Sequence, residues 1–363
     1  MSNLALHRVQ SSDHQVVVGR YCLAELAEIL AEAAYADAKL FILCDGNTLE
    51  HCFPVFAEKV PPARRAELIE VAEGEESKSI EVCEQIWSAL GELGADRSSV
   101  LINLGGGVVT DLGGFIAGTF KRGIRFFNVP TSLLAQVDAS AGGKTGINLG
   151  HVKNQVGLFN NPEGVFADPA FIETLPRKEL MSGFAEVIKH ALIYSPGYWR
   201  EVKALDLHEP EALDPLILRS IQIKNEITLS DPFEQGRRKI LNFGHTVGHA
   251  LESLSLEGDA KSLLHGEAIA AGMVCEAYIS RKFGLIDQAA LEEITDFILG
   301  LYPRVPVETL SHHRLIELMR HDKKNANDRF NFALLADIGD AVYNREVSAD
   351  VVIESLNYYS RRV

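Results

Sequence analysis

The chain has 363 residues, of which 47% are hydrophobic, and a formal net charge of -15. Its length favours two domains over a single core. The acidic balance argues against a nucleic-acid partner, because contact with a phosphate backbone needs a basic surface. No apolar run reaches the roughly 18 residues of a membrane span, and the N-terminus lacks the layout of a signal peptide. We therefore expect a cytoplasmic protein without a membrane partner.

The chain contains five cysteines, an odd number, and none of them forms a CxxC pair. Disulfides are rare in the cytoplasm, where thiols are kept reduced. We therefore expect Cys22, Cys44, Cys52, Cys83 and Cys275 to be packed, reduced thiols rather than metal ligands or disulfides.

The first half of the chain alternates short aliphatic runs with amphipathic helical patterns. Strands are predicted at 14–20, 39–45, 66–72, 98–104 and 124–130. Helices are predicted at 21–34 and from Ser77 or Ser79 to Leu93, and Asn47 is predicted to cap the helix after the second strand. This alternation indicates a Rossmann-like α/β domain, in which helices cover both faces of a parallel sheet.

From about Leu180 onward the patterns are almost entirely helical. The predicted helices lie at 180–194, 198–205, 211–230, 237–255, 265–283, 287–300 and 311–320, followed by a strand at 329–339 and a terminal helix near 348–359. We place the domain boundary near Pro176. The prediction is an N-terminal α/β nucleotide-binding domain at 1–176 and a mainly α-helical, metal- and substrate-binding domain at 177–363, with a cleft between them.

Three consecutive glycines, Gly105 to Gly107, follow a predicted strand and precede a predicted helix. Glycines at such a turn let backbone N–H groups approach a phosphate at the helix N-terminus. The segment is not the GxGxxG fingerprint, and a tight turn with close helix–sheet packing is the alternative. Asp111 in that helix, and Asp45 and Asn47 after the second strand, are candidates to reach a ribose or a nicotinamide ring.

The segment SAGGKTGIN superficially suggests a phosphate-binding loop. The Walker pattern needs glycine at position 138, where this chain has Asp138, so an ATPase or kinase is disfavoured. The region does combine Asp138, Lys144, Lys153 and Asn154 in a glycine-rich segment that we interpret as a folded loop. Lysines and an amide among glycines suit an anionic, hydroxylated small molecule, and a solvated loop is the alternative.

The stretch LNFGHTVGHALES, followed later by LLHGEAIAAGM, contains three histidines. His245 and His249 lie one helical turn apart on one face, and His265 returns on the next predicted helix. Three imidazoles so placed suggest a divalent-metal site with an open position, although hydrogen-bonded core histidines are an equal alternative. Glu186 and Lys189 stand three residues apart in an apolar helix, where they form either part of a metal site or a structural ion pair.

Several basic residues stand out in this acidic chain: Lys189, Lys224, Arg238, Lys323 and Lys324. Arg238 precedes His245 by seven residues, which predicts that both lie on one face of the helix at 237–255. Each basic residue has a structural explanation when it is taken alone. Their concentration near the candidate metal ligands favours an anionic substrate.

These motifs resemble those of the 3-dehydroquinate synthases, within the sugar phosphate cyclase superfamily, over nearly the whole chain. The matching strings are GGGVVTDLGGF, KRG, VPTSLLAQVDASAGGKTGIN, GFAEVIKH, EQGRRKILNFGHTVGHALE, LHGEA and DKK. The first 60 residues match only in pattern. So many long strings in one order are more specific than any single motif.

The resemblance implies a lyase of the shikimate pathway that converts 3-deoxy-D-arabino-heptulosonate 7-phosphate to 3-dehydroquinate and phosphate. The implied steps are transient oxidation by NAD, phosphate elimination, re-reduction and intramolecular aldol closure. The implied cofactors are tightly bound NAD and a zinc or cobalt ion, and the implied assembly is a homodimer in which Arg122 reaches the substrate phosphate of a neighbouring subunit.

The resemblance also assigns residues by position. The metal ligands would be Glu186, His245 and His265, and His249 would transfer a proton near the phosphate instead of binding the metal. Substrate would contact Asp138, Lys144, Asn154, Lys189, Lys224, Glu234, Arg238, Asn242 and one lysine of the DKK triplet, for which we take Lys324. NAD would contact Asp45, Asn47, Glu75, Lys78, Gly106, Gly107, Val108, Asp111, Thr131, Ser132, Lys144 and Lys153.

Three other readings remain open. A sister cyclase, such as a 2-deoxy-scyllo-inosose synthase or a sedoheptulose 7-phosphate cyclase, would act on another sugar phosphate. A metal-dependent alcohol dehydrogenase would have no use for the lysine cluster. A binding protein without activity would be expected to have lost metal or lysine positions, and none is missing here.

Overall fold

The structure is a computed structural model that describes residues 6–139, 142–150, 152–207, 209–256, 262–321 and 329–362. The chain divides into two compact units. The first consists of Met1–Pro176 with Asp206–Asn225, and the second of Arg177–Leu205 with Glu226–Val363. The segment 206–225 thus groups with the first unit, although the sequence suggests a single boundary near Pro176.

The first unit is built on a parallel sheet. Its strands and those of a separate hairpin are β1 (His7–Gln10), β2 (Gln15–Val18), β3 (Leu40–Asp45), β4 (Glu67–Val71), β5 (Val100–Gly105), β6 (Arg125–Pro130), β7 (Lys144–Leu149), β8 (Val152–Phe159) and β9 (Gly164–Ala167). The sheet has the order β1-β2-β9-β6-β5-β3-β4, and every neighbouring pair except β1–β2 is parallel. The predicted parallel α/β sheet is confirmed.

Helices cover both faces of this sheet. They are α1 (Cys22–Ala31), α2 (Gly46–His51), α3 (Phe53–Lys59), α4 (Ile80–Glu92) and α5 (Gly107–Thr119). Alternate residues of the buried strands point to opposite faces. Ile42 and Ile102 pack in one core cluster with residues of α1, whereas Leu43 and Leu101 pack in the other with residues of α4 and α5. Because both faces are covered, the strands read as continuous apolar runs.

The hairpin of β7 and β8 corrects the sequence interpretation, which placed 138–154 in a loop. Gly146 pairs with Gly157 across the two antiparallel strands. A Cβ on Gly146 would lie 2.8 Å from the Val156 carbonyl oxygen, and one on Gly157 would lie 2.5 Å from the Thr145 carbonyl oxygen. Glycine is required where the two backbones come this close, and glycine also weakens the sequence signal of a strand.

The second unit is mainly helical. Its helices, together with α8, which continues from the first unit, are α6 (Arg177–Tyr194), α7 (Pro196–Lys203), α8 (Asp214–Ser230), α9 (His245–Leu256), α10 (His265–Lys282), α11 (Gln288–Leu301), α12 (His312–His321) and α13 (Ala349–Arg361). Two antiparallel strands, β10 (Arg329–Asp337) and β11 (Asp340–Ser348), complete the unit. The second of these was not predicted, because its largely exposed, charged sequence lacks apolar alternation. Within the described ranges, every helix falls short of the length and apolar character that crossing a bilayer demands.

The prediction of one continuous helix at 237–255 is wrong, because the structure has two separate elements there. Arg237–Asn242 forms a 3-10 helix, and α9 begins only at His245. Gly244 between them has φ of +82°, which ends a right-handed helix and favours glycine. Arg238 and His245 therefore do not share a helix face.

Gly113 offers a test of the packing between α5 and the sheet. A Cβ at this position would lie 1.9 Å from Oδ1 of Asn103, whose side-chain amide donates to Asn128 on the neighbouring strand. We expect Gly113→Ala to lower the free energy of unfolding by about 1–3 kcal/mol, as overpacked cores do. The measurement is equilibrium unfolding in urea.

Gly91 is the matched control, since it also lies inside a helix but a Cβ there would meet nothing within 4 Å. Gly91→Ala is expected to raise stability by about 0.5–1 kcal/mol through the better helix propensity of alanine. Equal stabilities for the two variants would contradict the proposed close approach at Gly113.

Candidate active site

The carboxyl ends of β3, β5 and β6 meet at one edge of the first unit's sheet. At this edge a Cβ on Gly105 would lie 2.6 Å from Cβ of Val109, and one on Gly106 would lie 3.3 Å from Oγ of Ser132. The first turn of α5, which contains Gly107 and Val108, receives no cap from a side chain. Bare glycine backbone and an uncapped helix N-terminus suit a phosphate group, and open α/β sheets bind nucleotides at this edge.

Asp45 ends β3 at the same edge and caps α2. Its Oδ1 accepts the N–H of Thr48 at 2.8 Å, and the Thr48 hydroxyl in turn accepts the N–H of Asp45. The prediction that Asn47 caps this helix is therefore wrong, because Asn47 lies inside the first turn. Thr131 follows β6 and is buried, and its N–H donates to the Gly105 carbonyl at 3.0 Å.

Lys78 is the buried centre of a polar cluster whose other members are partly or fully exposed. Its Nζ donates to Asp111 at 2.8 Å and to Oδ1 of Asn154 at 2.7 Å, and it lies 3.6 Å from Glu75. Burial opposes the ammonium charge, but Asp111 and Glu75 outweigh burial and raise the pKa of Lys78. Lys153 approaches the same Glu75 at 3.9 Å. The structure thus places Asn154, which the resemblance assigns to substrate binding, in contact with Lys78, which the resemblance assigns to NAD binding.

Lys224 and Asp138 form a second polar pair in the first unit. Nζ of Lys224 lies 3.0 Å from Oδ1 of Asp138 and also donates to the Asp138 carbonyl oxygen. Asp138 belongs to a single turn of π-helix at Ala135–Ala139, a form that often occurs at functional sites. Lys144 lies at the start of β7, where it is exposed. Arg122 is also exposed, and its φ of +71° places it in the left-handed region.

Three side chains of the second unit converge on a small volume. Oε1 of Glu186 lies 3.5 Å from Nε2 of His245 and 3.7 Å from Nε2 of His265. The nearest ligand atoms of the three residues all lie within 4.8 Å of one another. Helices α6, α9 and α10 each contribute one of them.

Each of the two imidazoles has its other nitrogen engaged. Nδ1 of His245 lies 3.1 Å from the Phe243 carbonyl oxygen, to which it can donate, and Nδ1 of His265 lies 3.3 Å from Oε2 of Glu252. Such contacts fix the tautomer and the ring orientation. Both Nε2 atoms face Oε1 of Glu186, and each would offer a lone pair to a metal once its imidazole is neutral.

Glycines let the three helices approach closely enough for this convergence. A Cβ on Gly266 would lie 2.1 Å from the Ser182 carbonyl oxygen of α6, and one on Gly272 would lie 2.0 Å from the Gly244 carbonyl oxygen at the start of α9. A Cβ on Gly248 would lie 2.8 Å from Cδ1 of Ile269. Any larger residue at Gly266 or Gly272 would separate backbones that carry the three ligands.

The electrostatics of the cluster favour a cation. Burial opposes a charged His265, but the nearby carboxylates of Glu186 and Glu252 raise its pKa to about 10. Burial and the nearby Lys189 hold the pKa of His245 well below its usual range. Burial also opposes the charge on Glu186, but the Lys189 ammonium outweighs burial and holds the pKa of that carboxyl well below its usual value. The site therefore keeps a fully buried carboxylate ionised.

The donor set fits a first-row divalent ion. Oε2 of Glu186 accepts from Lys189, whereas the fully buried Oε1 has no hydrogen-bond partner. A tetrahedral zinc ion at about 2.0–2.2 Å from each donor separates the donors by roughly 3.3–3.6 Å. The observed 3.5 and 3.7 Å are close to that spacing. One carboxylate and two imidazoles suit zinc or cobalt.

His249, the third histidine of the sequence motif, lies beside this cluster. Its ring centre is 5.0 Å from that of His245 and 5.9 Å from that of His265. Its residue is exposed, unlike the two partly buried histidines. His249 also forms a second potential ligand group with Glu252 and His265, so the geometry alone leaves its role open.

A compact loop at 231–242 presents the remaining polar residues of the second unit. The carboxylate of Asp231 accepts the N–H groups of Gln235, Gly236 and Arg238 at 2.9, 2.7 and 3.0 Å. The buried Arg238 donates to the Pro232 carbonyl, and Asn242 donates to Glu234 at 2.6 Å. Glu234 has φ of +56°, a strained conformation that this network maintains.

Sequence reasoning missed Glu252 and Asp231. Glu252 lies three residues after His249 in an apolar helix, so its spacing was an available signal. Asp231 carries no such signal, since an aspartate after a helix is common in turns. Lys324 and its neighbour Lys323 lie outside the described residues.

Known protein families, relatives and solved structures match this chain. The sequence profile of the 3-dehydroquinate synthase N-terminal domain matches residues 68–182, and that of the 3-dehydroquinate synthase C-terminal domain matches residues 183–325. A 3-dehydroquinate synthase from Parabacteroides distasonis is 44% identical over 350 residues, which cover 96% of this chain and 98% of the relative. The chain belongs to the 3-dehydroquinate synthase family.

Solved structures share the fold at lower identity. A crystal structure of 2-deoxy-scyllo-inosose synthase with carbaglucose-6-phosphate, NAD+ and Co2+ has a TM-score of 0.83 at 24% identity, covering 98% of this chain and 100% of that one. The 2-epi-5-epi-valiolone synthase of Streptomyces hygroscopicus, with NAD+ and Zn2+ bound, has a TM-score of 0.82 at 24% identity, covering 98% and 99%. The chain therefore shares the fold of these two enzymes.

The three-donor geometry predicts the effect of removing one ligand. We expect His265→Ala to weaken Zn2+ binding by more than about a hundredfold, because even an outer-shell change costs ten- to a hundredfold. Metal content after dialysis, measured by mass spectrometry, reports the effect. His313→Ala is the control, since that side chain is 82% exposed on α12. Equal metal content in His265→Ala and wild type would remove His265 from the ligand set.

Proposed function

We propose that this protein converts 3-deoxy-D-arabino-heptulosonate 7-phosphate to 3-dehydroquinate and phosphate. Membership of the 3-dehydroquinate synthase family along nearly the whole chain supports the reaction. The observation that carries the proposal is the unpartnered, buried oxygen of Glu186 between the Nε2 atoms of His245 and His265. A reaction that polarises oxygens of a sugar acid needs a cation at such a place.

The chain's own residues hold the cofactors. Glu186, His245 and His265 would hold Zn2+ or Co2+, and the edge with Gly106 and Lys78 would hold NAD. When bound, the metal supplies Lewis acidity and NAD supplies a hydride acceptor that the complete reaction restores. The glycine backbone and the α5 N-terminus would orient the NAD phosphates, and the Lys78 cluster would bind polar groups of the nucleotide.

Other residues would bind and orient the substrate. Lys224 and Arg238 are each buried cations, and a buried cation suits a carboxylate or a phosphate. Asp231 holds Arg238 in place by accepting the backbone N–H of Arg238. The exposed imidazole of His249 has two ring nitrogens, and either of them can carry a proton. Holding one flexible substrate in order would supply much of the rate acceleration.

The homodimer, the contribution of Arg122 to a neighbouring subunit and the cytoplasmic location are further parts of the proposal. They rest on the family resemblance and on the composition of the chain. The choice between Zn2+ and Co2+ also belongs here, since a carboxylate and two imidazoles accept both ions.

One assay separates the proposed reaction from its alternatives. With the heptulosonate 7-phosphate in large excess over NAD, we expect many molecules of phosphate released per NAD and no accumulation of NADH. An alcohol dehydrogenase would instead form NADH in proportion to substrate consumed. A sister cyclase would prefer another substrate, and faster phosphate release from sedoheptulose 7-phosphate would contradict the proposal.

Lys224 tests the substrate-binding part of the proposal. Lys224→Met keeps the apolar stem but removes the ammonium that contacts Asp138, and loss of a charged hydrogen bond costs about 1.5–3 kcal/mol. We therefore expect kcat/KM to fall about ten- to a hundredfold in the steady-state phosphate-release assay. Gln222→Ala, on the exposed face of the same helix, should leave kcat/KM unchanged. Wild-type kinetics for Lys224→Met would exclude this lysine from substrate binding.

A further inference from the structure

Glu276 carries a fully buried carboxyl group that the proposed chemistry does not use. It lies on α10, about three turns after His265. Its Oε2 accepts the N–H of Gly244 at 2.6 Å, and its Oε1 accepts the N–H of Val247 at 3.1 Å. Burial raises the pKa of Glu276 to about 8, although the backbone N–H groups of Val247 and Gly244 act to lower it. The carboxyl group of Glu276 is therefore hydrogen-bonded to the start of α9 at Gly244 and Val247, which lie on either side of His245.

These contacts replace a local helix cap. The first N–H groups of an α-helix have no acceptor within the helix, and a serine, threonine or aspartate just before it usually supplies one. Here Gly244 occupies that place and has no side chain. Glu276 thus supplies from a neighbouring helix what the local sequence lacks.

The placement links the two histidine ligands. One of them, His265, begins the helix that carries Glu276, and the other, His245, begins the helix that Glu276 caps. The glycine contact between Gly272 and Gly244 leaves the two backbones close, but apolar packing alone does not fix rotation or sliding along the helix axis. Glu276 accepts two directional hydrogen bonds from the start of α9, and these fix both the rotation of the helix and its position along its axis.

We propose that Glu276 is a positioning residue that sets the spacing of His245 and His265 and thereby the metal affinity of the three-donor site. The inference rests on the metal site of the proposed function. Metal ligands lose affinity when their supports are removed, typically ten- to a hundredfold. Glu276 acts on the start of a helix rather than on an imidazole, which distinguishes it from Glu252.

The test compares Zn2+ affinity in purified full-length variants by competition with a chromophoric chelator. Glu276→Gln keeps the shape of the side chain, but its amide turns an N–H toward a backbone N–H of α9. We expect its Zn2+ dissociation constant to rise about ten- to a hundredfold. The absorption spectrum of the Co2+-loaded variant should also change, because it reports the ligand geometry.

Ser280→Ala is the matched control. Ser280 lies one turn further along α10, is fully buried, donates to the Glu276 carbonyl oxygen at 2.7 Å and accepts the N–H of Leu335 at 3.0 Å. Its removal costs buried hydrogen bonds without touching α9. The variant should lose stability but keep wild-type Zn2+ affinity and Co2+ spectrum. An equal loss of affinity in both variants would reduce Glu276 to a general stabilising role and overturn the proposal.

His245→Ala separates this inference from the proposed function. If His245→Ala loses Zn2+ and Glu276→Gln binds it like wild type, the positioning role is wrong and the metal site stands. If His245→Ala binds Zn2+ normally, the metal site itself is wrong.

Hydrogen exchange of the wild-type protein keeps the positioning role testable if Glu276→Gln does not fold. The Gly244 and Val247 N–H groups should be protected like the interior of α9, and free exchange at both would refute the cap.

Discussion

The close approach of α6, α9 and α10 is the constraint on which the candidate metal centre depends. Backbone meets backbone at Gly266 and Gly272, where a single methyl group would overlap a carbonyl oxygen. Each of the three helices then delivers one ligand from a rigid element rather than from a loop. Rigid placement favours catalysis, because ligands held in advance need no ordering when the ion or the substrate binds.

A buried glutamate among apolar helices is costly unless its charge is compensated. Lys189 compensates one oxygen of Glu186, and the protonated His265 faces the other in the absence of an ion. Metal binding replaces that proton, since a ligating imidazole must give it up. The charge of the Glu186 carboxylate is therefore compensated both by the protonated His265 and by the metal that replaces the proton. This explains how a fully buried acid can persist in a folded chain before its ion binds.

Much of the first unit could be predicted from sequence, because buried parallel strands leave continuous apolar runs. The candidate roles of Asp45 and Gly106 followed from the same patterns, whereas Thr131 was named only through the family resemblance. The β7–β8 hairpin could not be found in this way, since Gly146 and Gly157 carry no apolar side chains. Asp45, which caps α2, and Asn47 stand only two positions apart, and helix boundaries are the least certain part of sequence reasoning.

In the second unit, helical periodicity located the helices but not the break at Gly244. Spacing alone also favoured His245 with His249 as ligands, whereas the structure places Glu186, His245 and His265 together. Glu186 comes from a helix nearly 60 positions earlier in the chain. Periodicity describes one element at a time, so contacts between distant helices required either the family resemblance or the three-dimensional structure.

The contact between Lys78 and Asn154 determines how one amide is oriented. An ammonium group has only donors, so the carbonyl oxygen of Asn154 must face Lys78 and the NH2 group must face away. Any molecule that meets the outward side of Asn154 therefore encounters hydrogen-bond donors. A hydroxyl or carboxylate oxygen can accept from them, whereas an ammonium or amide N–H arriving there would find no partner.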